Sequence, residues 1–271
     1  MFFLRYAFRR LNPAYPRTGS MTETLAVIIL AAGLGKRMRS PKAKVLHEIL
    51  GRPMLSYVID VAREIAGSSV IVVVGNQAEA VRRAVSGDAA VRYAYQDRQL
   101  GTGHAVLCAL PQLPDACEQV VVLCGDIPLL TAPTLKRLVQ DHLAARRDAT
   151  VLAVELDAPQ GYGRVLLNDR HQVCGIVEEA DASAAQRAIR LINTGIYCVT
   201  RKFLSEALPN VTPDNAQGEF YLTDIIRIGY ESGRNIGVSR SAAPREILGV
   251  NTPEDLARVE ALMAGRAAII S

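Results

Sequence analysis

The sequence predicts an α/β protein with a mixed, mostly parallel sheet flanked by helices and a small antiparallel insertion. Continuous apolar, β-branched runs, such as VIVVV at 70–74, are typical of strands buried on both faces. Segments with helical spacing separate these runs, and this alternation indicates right-handed β-α-β crossovers. The region 161–198 instead has the pattern of antiparallel strands. A chain of 271 residues, 49% of them hydrophobic, is long enough to bury a substantial core.

The predicted elements follow one another in a regular order as far as Leu156. The predicted strands are 25–32, 70–74, 91–95, 120–123 and 149–156, and the predicted helices are 54–66, 77–85, 103–110 and 132–146. Further on, GYGRVLLNDRHQVCGIVE predicts a hairpin with Asn168 and Asp169 near its turn, and INTGIYCV predicts another strand. A last helix begins with Thr252 as N-cap and Pro253 at the first helical position.

The segment 1–20 differs in composition from the rest of the chain. It contains four arginines and no acid, and without it the chain has 27 basic and 27 acidic residues. The body therefore lacks the basic footprint of a nucleic-acid-binding protein. No apolar run approaches the roughly 20 residues that a membrane-spanning helix requires, so no such helix is predicted. We expect residues 1–24 to form an extension without regular structure.

The five cysteines form no close C-x-x-C pair, so neither a disulfide framework nor a zinc site is predicted. Most lie in apolar, strand-like surroundings, where we expect buried free thiols. This usage predicts a reducing, cytoplasmic compartment.

The loop after the first predicted strand, AAGLGKRMRSPKAK at 31–44, has the composition of a polyphosphate-binding loop. Gly33 and Gly35 permit a tight turn that presents N–H groups, and five cations lie within the nine residues 36–44. Because ligands bind beyond the carboxyl ends of parallel strands, the position of the loop agrees with this function. Neither a Walker A loop nor a dinucleotide-binding G-x-G-x-x-G occurs. A solvated basic loop is the alternative.

Two oxygen-bearing side chains follow later apolar runs. Asp126 ends a predicted strand in LCGDIPLL, and Asn251 lies between ILGV and the last helix. Hard oxygen ligands of this kind suit a magnesium–phosphate complex, although a turn or cap explains either residue alone. The segment QLGTGHA at 99–105 places glycines on both sides of Thr102, where backbone groups could contact a base or a phosphate. An ordinary helix entry is the alternative. We expect His104, on an apolar helix, to be packed rather than catalytic.

Taken together, these motifs resemble those of the sugar-1-phosphate nucleotidyltransferases. LAVIILAAGLGKRMRSPKAKVL is similar to the family signature, although Ala43 stands where the family pattern has proline. QLGTGHAV, CGDIPLL, GYGRV, GIVEEADA, INTGIY, NAQGEFYLTDII and GVNTPEDL resemble, in the same order, segments of the bacterial bifunctional N-acetylglucosamine-1-phosphate uridylyltransferase/acetyltransferases. The similarity covers residues 25 to about 262. It implies the nucleotide-diphospho-sugar transferase fold.

The resemblance also implies roles for individual residues. Those for the nucleotide are Leu30, Ala31, Ala32, Gly33, Lys44, Gln96, Gly101, Thr102, Gly125 and Asp126. Those for the sugar are Gly163, Glu178, Asn193 and Asn251. Arg37 and Lys44 would stabilise the charge that develops during transfer, and Asp126 and Asn251 would ligate Mg²⁺.

The activity implied is uridylyl transfer from UTP to N-acetyl-α-D-glucosamine 1-phosphate, with release of pyrophosphate. Alternatives are another sugar 1-phosphate, such as glucose 1-phosphate with UTP or dTTP, a cytidylyltransferase, or a nucleotide-binding module without catalysis. We expect a nucleotidyltransferase domain at 25–257 and the beginning of a linking helix at 258–271. The hexapeptide-repeat acetyltransferase domain of the family has no counterpart here, so its trimer is not expected, and the oligomeric state stays open. No nucleic-acid or membrane partner is expected.

Overall fold

The computed structural model describes residues 24–85 and 91–270, so most of the expected N-terminal extension lies outside the described residues. Within these ranges the strands are β1 (Leu25–Leu30), β2 (Glu48–Ile49), β3 (Arg52–Pro53), β4 (Val70–Val74), β5 (Val91–Tyr95), β6 (Gln119–Cys124), β7 (Ala149–Glu155), β8 (Arg164–Leu167), β9 (Val173–Val177), β10 (Leu191–Thr200) and β11 (Ile236–Arg240). The α-helices are α1 (Met54–Ala66), α2 (Ala78–Ala84), α3 (Thr102–Ala109), α4 (Ala132–Ala144), α5 (Ala184–Arg187), α6 (Arg201–Ala207), α7 (Asp224–Glu231) and α8 (Pro253–Ile270). Each helix and strand predicted as far as Leu156 is present, with only small shifts of its bounds.

The main sheet has the strand order β11-β7-β10-β6-β1-β4-β5, and the β8-β9 hairpin is attached to β10. Parallel pairing joins β1 to β4 and β6, β4 to β5, and β7 to β11, whereas β10 runs antiparallel to both of its main-sheet neighbours. The predicted fold class, a mixed and mostly parallel sheet with an antiparallel part, is confirmed. Because β1, β4, β5 and β6 are parallel, their carboxyl ends lie along one edge of the sheet.

The antiparallel region 161–198 is divided differently from our prediction. β8 and β9 form the expected hairpin, but β10 lies in the middle of the main sheet between β6 and β7. Most residues of β10 are buried, as is typical of a central strand covered on both faces. The hairpin turn spans residues 168–172. The Asn168 side chain stabilises it by accepting hydrogen bonds from the N–H groups of Arg170 and Gln172, both at 2.9 Å. We predicted neither β11 nor α5, α6 and α7.

Helices cover both faces of the sheet. Helices α1 and α4 pack in one apolar cluster, and α3, α6 and α7 pack in the other. In a smaller third cluster, Val259 of α8 packs with apolar residues that include Met38, from the basic loop after β1. Helix α8 therefore packs beside the loop of the predicted site. Our boundary at residue 257 falls inside this helix and stays a prediction.

The start of α8 is as predicted. The Asp255 N–H donates to Thr252 Oγ1 at 3.1 Å, and the Thr252 N–H donates to Asp255 Oδ2 at 2.9 Å. This reciprocal pair satisfies N–H groups at the helix N-terminus that lack partners within the helix. Among residues 24–85 and 91–270, no helix has both the length and the apolar character needed to cross a membrane. All five cysteines are free thiols, as predicted, but only Cys117 and Cys198 are buried and the other three are partly exposed, so the expectation that most would be buried is wrong.

Candidate active site

The basic loop after β1 is held in a defined conformation by close packing and side-chain hydrogen bonds. Gly35 has φ +60°, and a Cβ at this position would lie 2.6 Å from the Cβ of Lys44. A glycine therefore allows the two ends of the loop to approach closely. The Gln77 side chain secures the far side, because its Nε2 donates to the Pro41 carbonyl at 2.7 Å and its Oε1 accepts from the Ala43 N–H at 2.8 Å. We did not predict this role for Gln77, since nothing local in the sequence indicates it.

Four side chains from three separate parts of the sequence meet beyond the ends of β1 and β6. Lys44 Nζ forms an ion pair with Asp126 and donates to Asn251 Oδ1 at 2.9 Å. Arg37 Nη2 donates to the same Asn251 oxygen at 2.9 Å. The two predicted metal ligands therefore face one positive charge from different elements. The structure brings together all four residues for which charge stabilisation or metal binding was predicted.

A cavity of about 510 Å³ opens beside this cluster. Sequence-predicted residues line most of it: Leu30, Ala31, Ala32, Gly33, Arg37, Lys44, Gln96, Gly101, Thr102, Asp126 and Asn251. Gly125, which was predicted to bind the nucleotide, does not line the cavity. The Gly125 N–H donates to the Leu30 carbonyl at 2.9 Å. Leu34, Gly35 and Lys36 of the predicted phosphate-binding loop and Gln99 and Ala105 of the QLGTGHA segment also line it. The lining residues outside these predicted segments that we did not predict are Val45, Cys124 and Glu219. The size and position suit a nucleotide at the carboxyl edge of parallel strands.

On the far side of the cavity, the segment 99–105 packs closely against the backbone of the segment 219–222. Gly101 has φ +116°, and a Cβ there would lie 2.6 Å from the Phe220 carbonyl oxygen. The Gly103 N–H donates to that same carbonyl at 2.8 Å, and Thr102 Oγ1 accepts from the Leu222 N–H at 2.9 Å. The segment 99–105 is therefore positioned by the later segment 219–222. The sequence motif indicated the glycine but not the partner that requires it.

Of the four sugar residues implied by the resemblance, Asn251 lines the cavity. The other three, Gly163, Glu178 and Asn193, form a group beside it. The Asn193 N–H donates to the Gly163 carbonyl at 2.8 Å, and a Cβ at Gly163 would lie 3.1 Å from Glu178 Oε2. Asn193 Oδ1 accepts from the Gly195 N–H at 3.0 Å and from the Tyr197 hydroxyl at 2.9 Å. The Asn193 amide nitrogen consequently remains as its donor. The group adjoins the cavity at Cys124, whose Sγ lies 3.7 Å from the Gly195 carbonyl oxygen.

Burial alters the acid–base properties of this wall. Burial, reinforced by the negative charge of Asp181, raises the pKa of the Glu178 carboxyl above its ordinary value. Burial also raises the pKa of the Cys124 thiol to about 12, so this cavity cysteine is not an activated nucleophile.

Arg164, next to Gly163, is a supporting residue that we did not predict. Its side chain is only 1% exposed, its Nη2 lies 2.8 Å from Glu179 Oε2, and it also donates to the Tyr162 and Arg187 carbonyls. It therefore ties β8 to the segment that carries Glu178. The pattern offered one signal: an arginine within an apolar strand needs a buried partner, and two glutamates follow the next strand.

The described residues contain no cluster of three or more His, Cys, Asp or Glu side chains suited to a metal ion. One carboxylate and one amide oxygen, on Asp126 and Asn251, are nevertheless a sufficient protein contribution where substrate phosphates complete the coordination of Mg²⁺. Their shared contact with Lys44 Nζ shows that both oxygens already face one cation. The donor set therefore fits a divalent ion that binds together with a nucleotide.

Comparison with known proteins agrees with this geometry. The sequence model of the MobA-like NTP transferase domain matches residues 27–206. The chain belongs to the MobA-like NTP transferase family. It is therefore a nucleotidyltransferase domain. The glycine-rich loop and β6 lie within the matched residues, as do all residues that line the cavity except Glu219 and Asn251.

Individual relatives indicate a narrower group within this family. The bifunctional protein GlmU of Heliobacterium modesticaldum is 47% identical over 239 residues, which cover 88% of this chain and 52% of that protein. The bifunctional protein GlmU of Cupriavidus pinatubonensis is 50% identical over 234 residues, covering 86% of this chain and 51% of that protein. The resemblance drawn from the motifs is confirmed. This family member spans about half the length of the curated relatives it matches.

A solved structure supports the fold. A protein from Bacillus anthracis described as a candidate glucose-1-phosphate thymidylyltransferase superposes with a TM-score of 0.66 at 22% identity, covering 88% of this chain and 94% of that one. At this identity the likeness bears on the fold alone.

Proposed function

We propose that the chain transfers the uridylyl group of UTP to N-acetyl-α-D-glucosamine 1-phosphate, forming UDP-N-acetylglucosamine and pyrophosphate. The observation that carries this proposal is one cavity lined by the cationic loop, the Gln96–Thr102 segment and the Asp126–Asn251 pair. The GlmU relatives support the choice of nucleotide and sugar.

The reaction needs positioning and charge neutralisation rather than a protein nucleophile. An oxygen of the sugar phosphate attacks the α-phosphorus of UTP in line, and the bond from this phosphorus to the bridging oxygen breaks as pyrophosphate leaves. The attacking phosphate has a second pKa of about 6 and is already ionised at neutral pH, so no general base is required. Arg37 and Lys44 offset the repulsion between the two anions and stabilise the charge that develops.

Asp126 and Asn251 would hold the divalent cation, which we propose is Mg²⁺. Once bound, it would neutralise phosphate charge at the site of transfer. The two ligands come from distant parts of the sequence, and Lys44 contacts both of them. One carboxylate, one amide and two basic side chains would thereby surround the phosphates of the substrates.

Glu178, Asn193 and Gly163 would hold the sugar. Asn193 Oδ1 is engaged by Gly195 and Tyr197, so the amide nitrogen is the group that can donate to a sugar oxygen. The Glu178 carboxylate is an acceptor for a sugar hydroxyl or the acetamido N–H. The absence of a side chain at Gly163 leaves the Glu178 carboxylate room beside the strand.

Replacing Glu178 with glutamine is expected to raise the KM for the sugar phosphate about 10-fold or more, because a hydrogen bond to a charged acceptor is lost. Since burial raises the pKa of Glu178, this carboxyl takes up a proton at a higher pH than an ordinary glutamate. In the unmodified protein the KM should therefore rise as the pH falls toward the acid range, and in Glu178→Gln that dependence should shrink.

Steady-state kinetics across this pH range measures the difference between the two proteins. The substrate phosphate titrates in both, so only the contrast reports on Glu178. Glu155→Gln, which changes a surface glutamate about half exposed, is the matched control. An identical acid dependence in the wild type and in Glu178→Gln would contradict the role of Glu178.

Pyrophosphate release from UTP, Mg²⁺ and N-acetylglucosamine 1-phosphate tests the function itself. Parallel reactions contain glucose 1-phosphate, or CTP or dTTP in place of UTP. We expect release with UTP and the N-acetylated sugar. Release with another pair alone would retain the chemistry and refute the proposed substrate. No release from folded protein that binds nucleotide would favour a binding module.

A further inference from the structure

The side-chain amide of Gln96 is held in one orientation by two acceptors. Its Nε2 lies 2.9 Å from the Gly101 carbonyl oxygen and 3.1 Å from His104 Nδ1. A backbone carbonyl can only accept, so the atom facing Gly101 must be the amide nitrogen. The flipped amide would bring two oxygens into contact at Gly101.

His104 completes this arrangement from the first turn of α3. Because the Gln96 nitrogen donates, His104 Nδ1 accepts, and the imidazole proton is on Nε2. That Nε2 lies 3.8 Å from Cys108 Sγ, one turn further along the helix. Burial raises the pKa of the Cys108 thiol, which therefore stays protonated and neutral beside the ring. His104 is thus packed, as expected, but it is packed against a residue of the cavity.

The fixed orientation leaves Oε1 as the group that Gln96 can offer to a ligand. The residue is 3% exposed and lines the cavity. Oε1 makes no hydrogen bond to the part of the chain that the structure describes, yet it is not among the buried, unpartnered polar atoms found there. It is therefore the accessible end of the amide. An acceptor in this place favours a base that presents a ring N–H.

We propose that His104 is a positioning residue that sets base specificity through Gln96. His104 Nδ1 accepts a hydrogen bond from Gln96 Nε2 and thereby holds Gln96 Oε1 toward the base. There Oε1 would accept a hydrogen bond from the N3–H of uracil or thymine. Cytosine presents a lone pair at N3 and would face a second acceptor. This inference rests on the proposed function for the place of the base, and it names a residue that would not contact the substrate.

Three variants test the proposal. His104→Leu has similar bulk but no acceptor, and His104→Asn keeps an acceptor close to the position of Nδ1. Leu107→Ala changes an exposed residue of the same helix and serves as the control. Affinities for UTP and for CTP, each with Mg²⁺, are measured by calorimetry without the sugar phosphate, and kcat and KM are measured where turnover occurs. Thermal unfolding checks the fold of each variant.

We expect the preference for UTP over CTP to fall about 10-fold in His104→Leu, the size of one lost hydrogen bond. The loss should appear in the affinity or KM for UTP, with kcat and the KM for the sugar phosphate little changed. His104→Asn should retain most of the preference, and Leu107→Ala should retain all of it.

Equal weakening of UTP and CTP in His104→Leu would reduce His104 to a structural residue and overturn the proposal, as would a wild type that binds both nucleotides equally. Because binding is measured without turnover, the outcome is separate from that of the proposed reaction. A wild type that prefers UTP but transfers nothing would refute the reaction and still test His104.

Discussion

Replacing Asp126 with alanine is expected to lower kcat for pyrophosphate release by about 10²–10³-fold. The substitution removes the carboxylate of the proposed cation site and the partner of Lys44. Neither Asn251 nor Arg37 can supply a negative charge there, so the phosphates would meet an incomplete site. Initial rates at saturating UTP and sugar phosphate over a Mg²⁺ series measure the loss.

Two further substitutions make the result specific. Asp126→Asn keeps the shape of the side chain and should remain strongly impaired, because its amide oxygen carries no net charge. Asp157→Ala removes a carboxylate that is 93% exposed and should leave the rate unchanged. Near-normal turnover by Asp126→Ala at ordinary Mg²⁺ would refute the proposed site.

Replacing Gly101 with alanine is expected to destabilise the protein by about 3 kcal/mol and to raise the KM for UTP about 10-fold or more. The Cβ would lie 2.6 Å from the Phe220 carbonyl oxygen and 2.8 Å from the Phe220 nitrogen. Both contacts are with backbone, which cannot rotate away as a side chain could. The segment that carries Thr102 would have to separate from the segment 219–222.

Urea unfolding and nucleotide affinity measure the two effects. Gly161→Ala is the matched control, because Gly161 also has positive φ, at +83°, but nothing lies within 4 Å of its Cβ position. It should lose about 1 kcal/mol from backbone strain alone. Equal losses in the two variants would mean that strain, and not the contact with Phe220, requires the glycine at 101.

Most of the fold as far as Leu156 was predictable because local patterns encode it. Buried strands such as β4 are continuous apolar runs, and α1 has the apolar spacing of a helix packed on one face. The position of β10 was not predictable in this way. Its sequence pattern is compatible with an edge insertion or a central strand, and only pairing with β6 and β7 distinguishes the two.

The residues of the site also fall into those that local sequence indicated and those that it did not. Glycines and cations in one loop indicated phosphate binding from local composition, and the ordered motifs indicated the family. Gln77 and His104 carry no comparable local signal, and for Arg164 the only signal is an arginine within an apolar strand. Each of the three acts through a hydrogen bond or ion pair with a partner that its local sequence does not identify.

Local sequence was enough to establish the periodicity of the main elements, the glycine-rich cationic loop, the start of the last helix and the family resemblance. These properties depend on neighbouring residues, whose backbone preferences and spacing act over short distances along the chain. Three-dimensional packing was needed to show that Lys44 meets Asp126 and Asn251, 82 and 207 positions away, and that the Gln96 amide has one orientation. Such contacts depend on strand order and on the docking of separate segments, which set the distances between side chains that no local pattern relates.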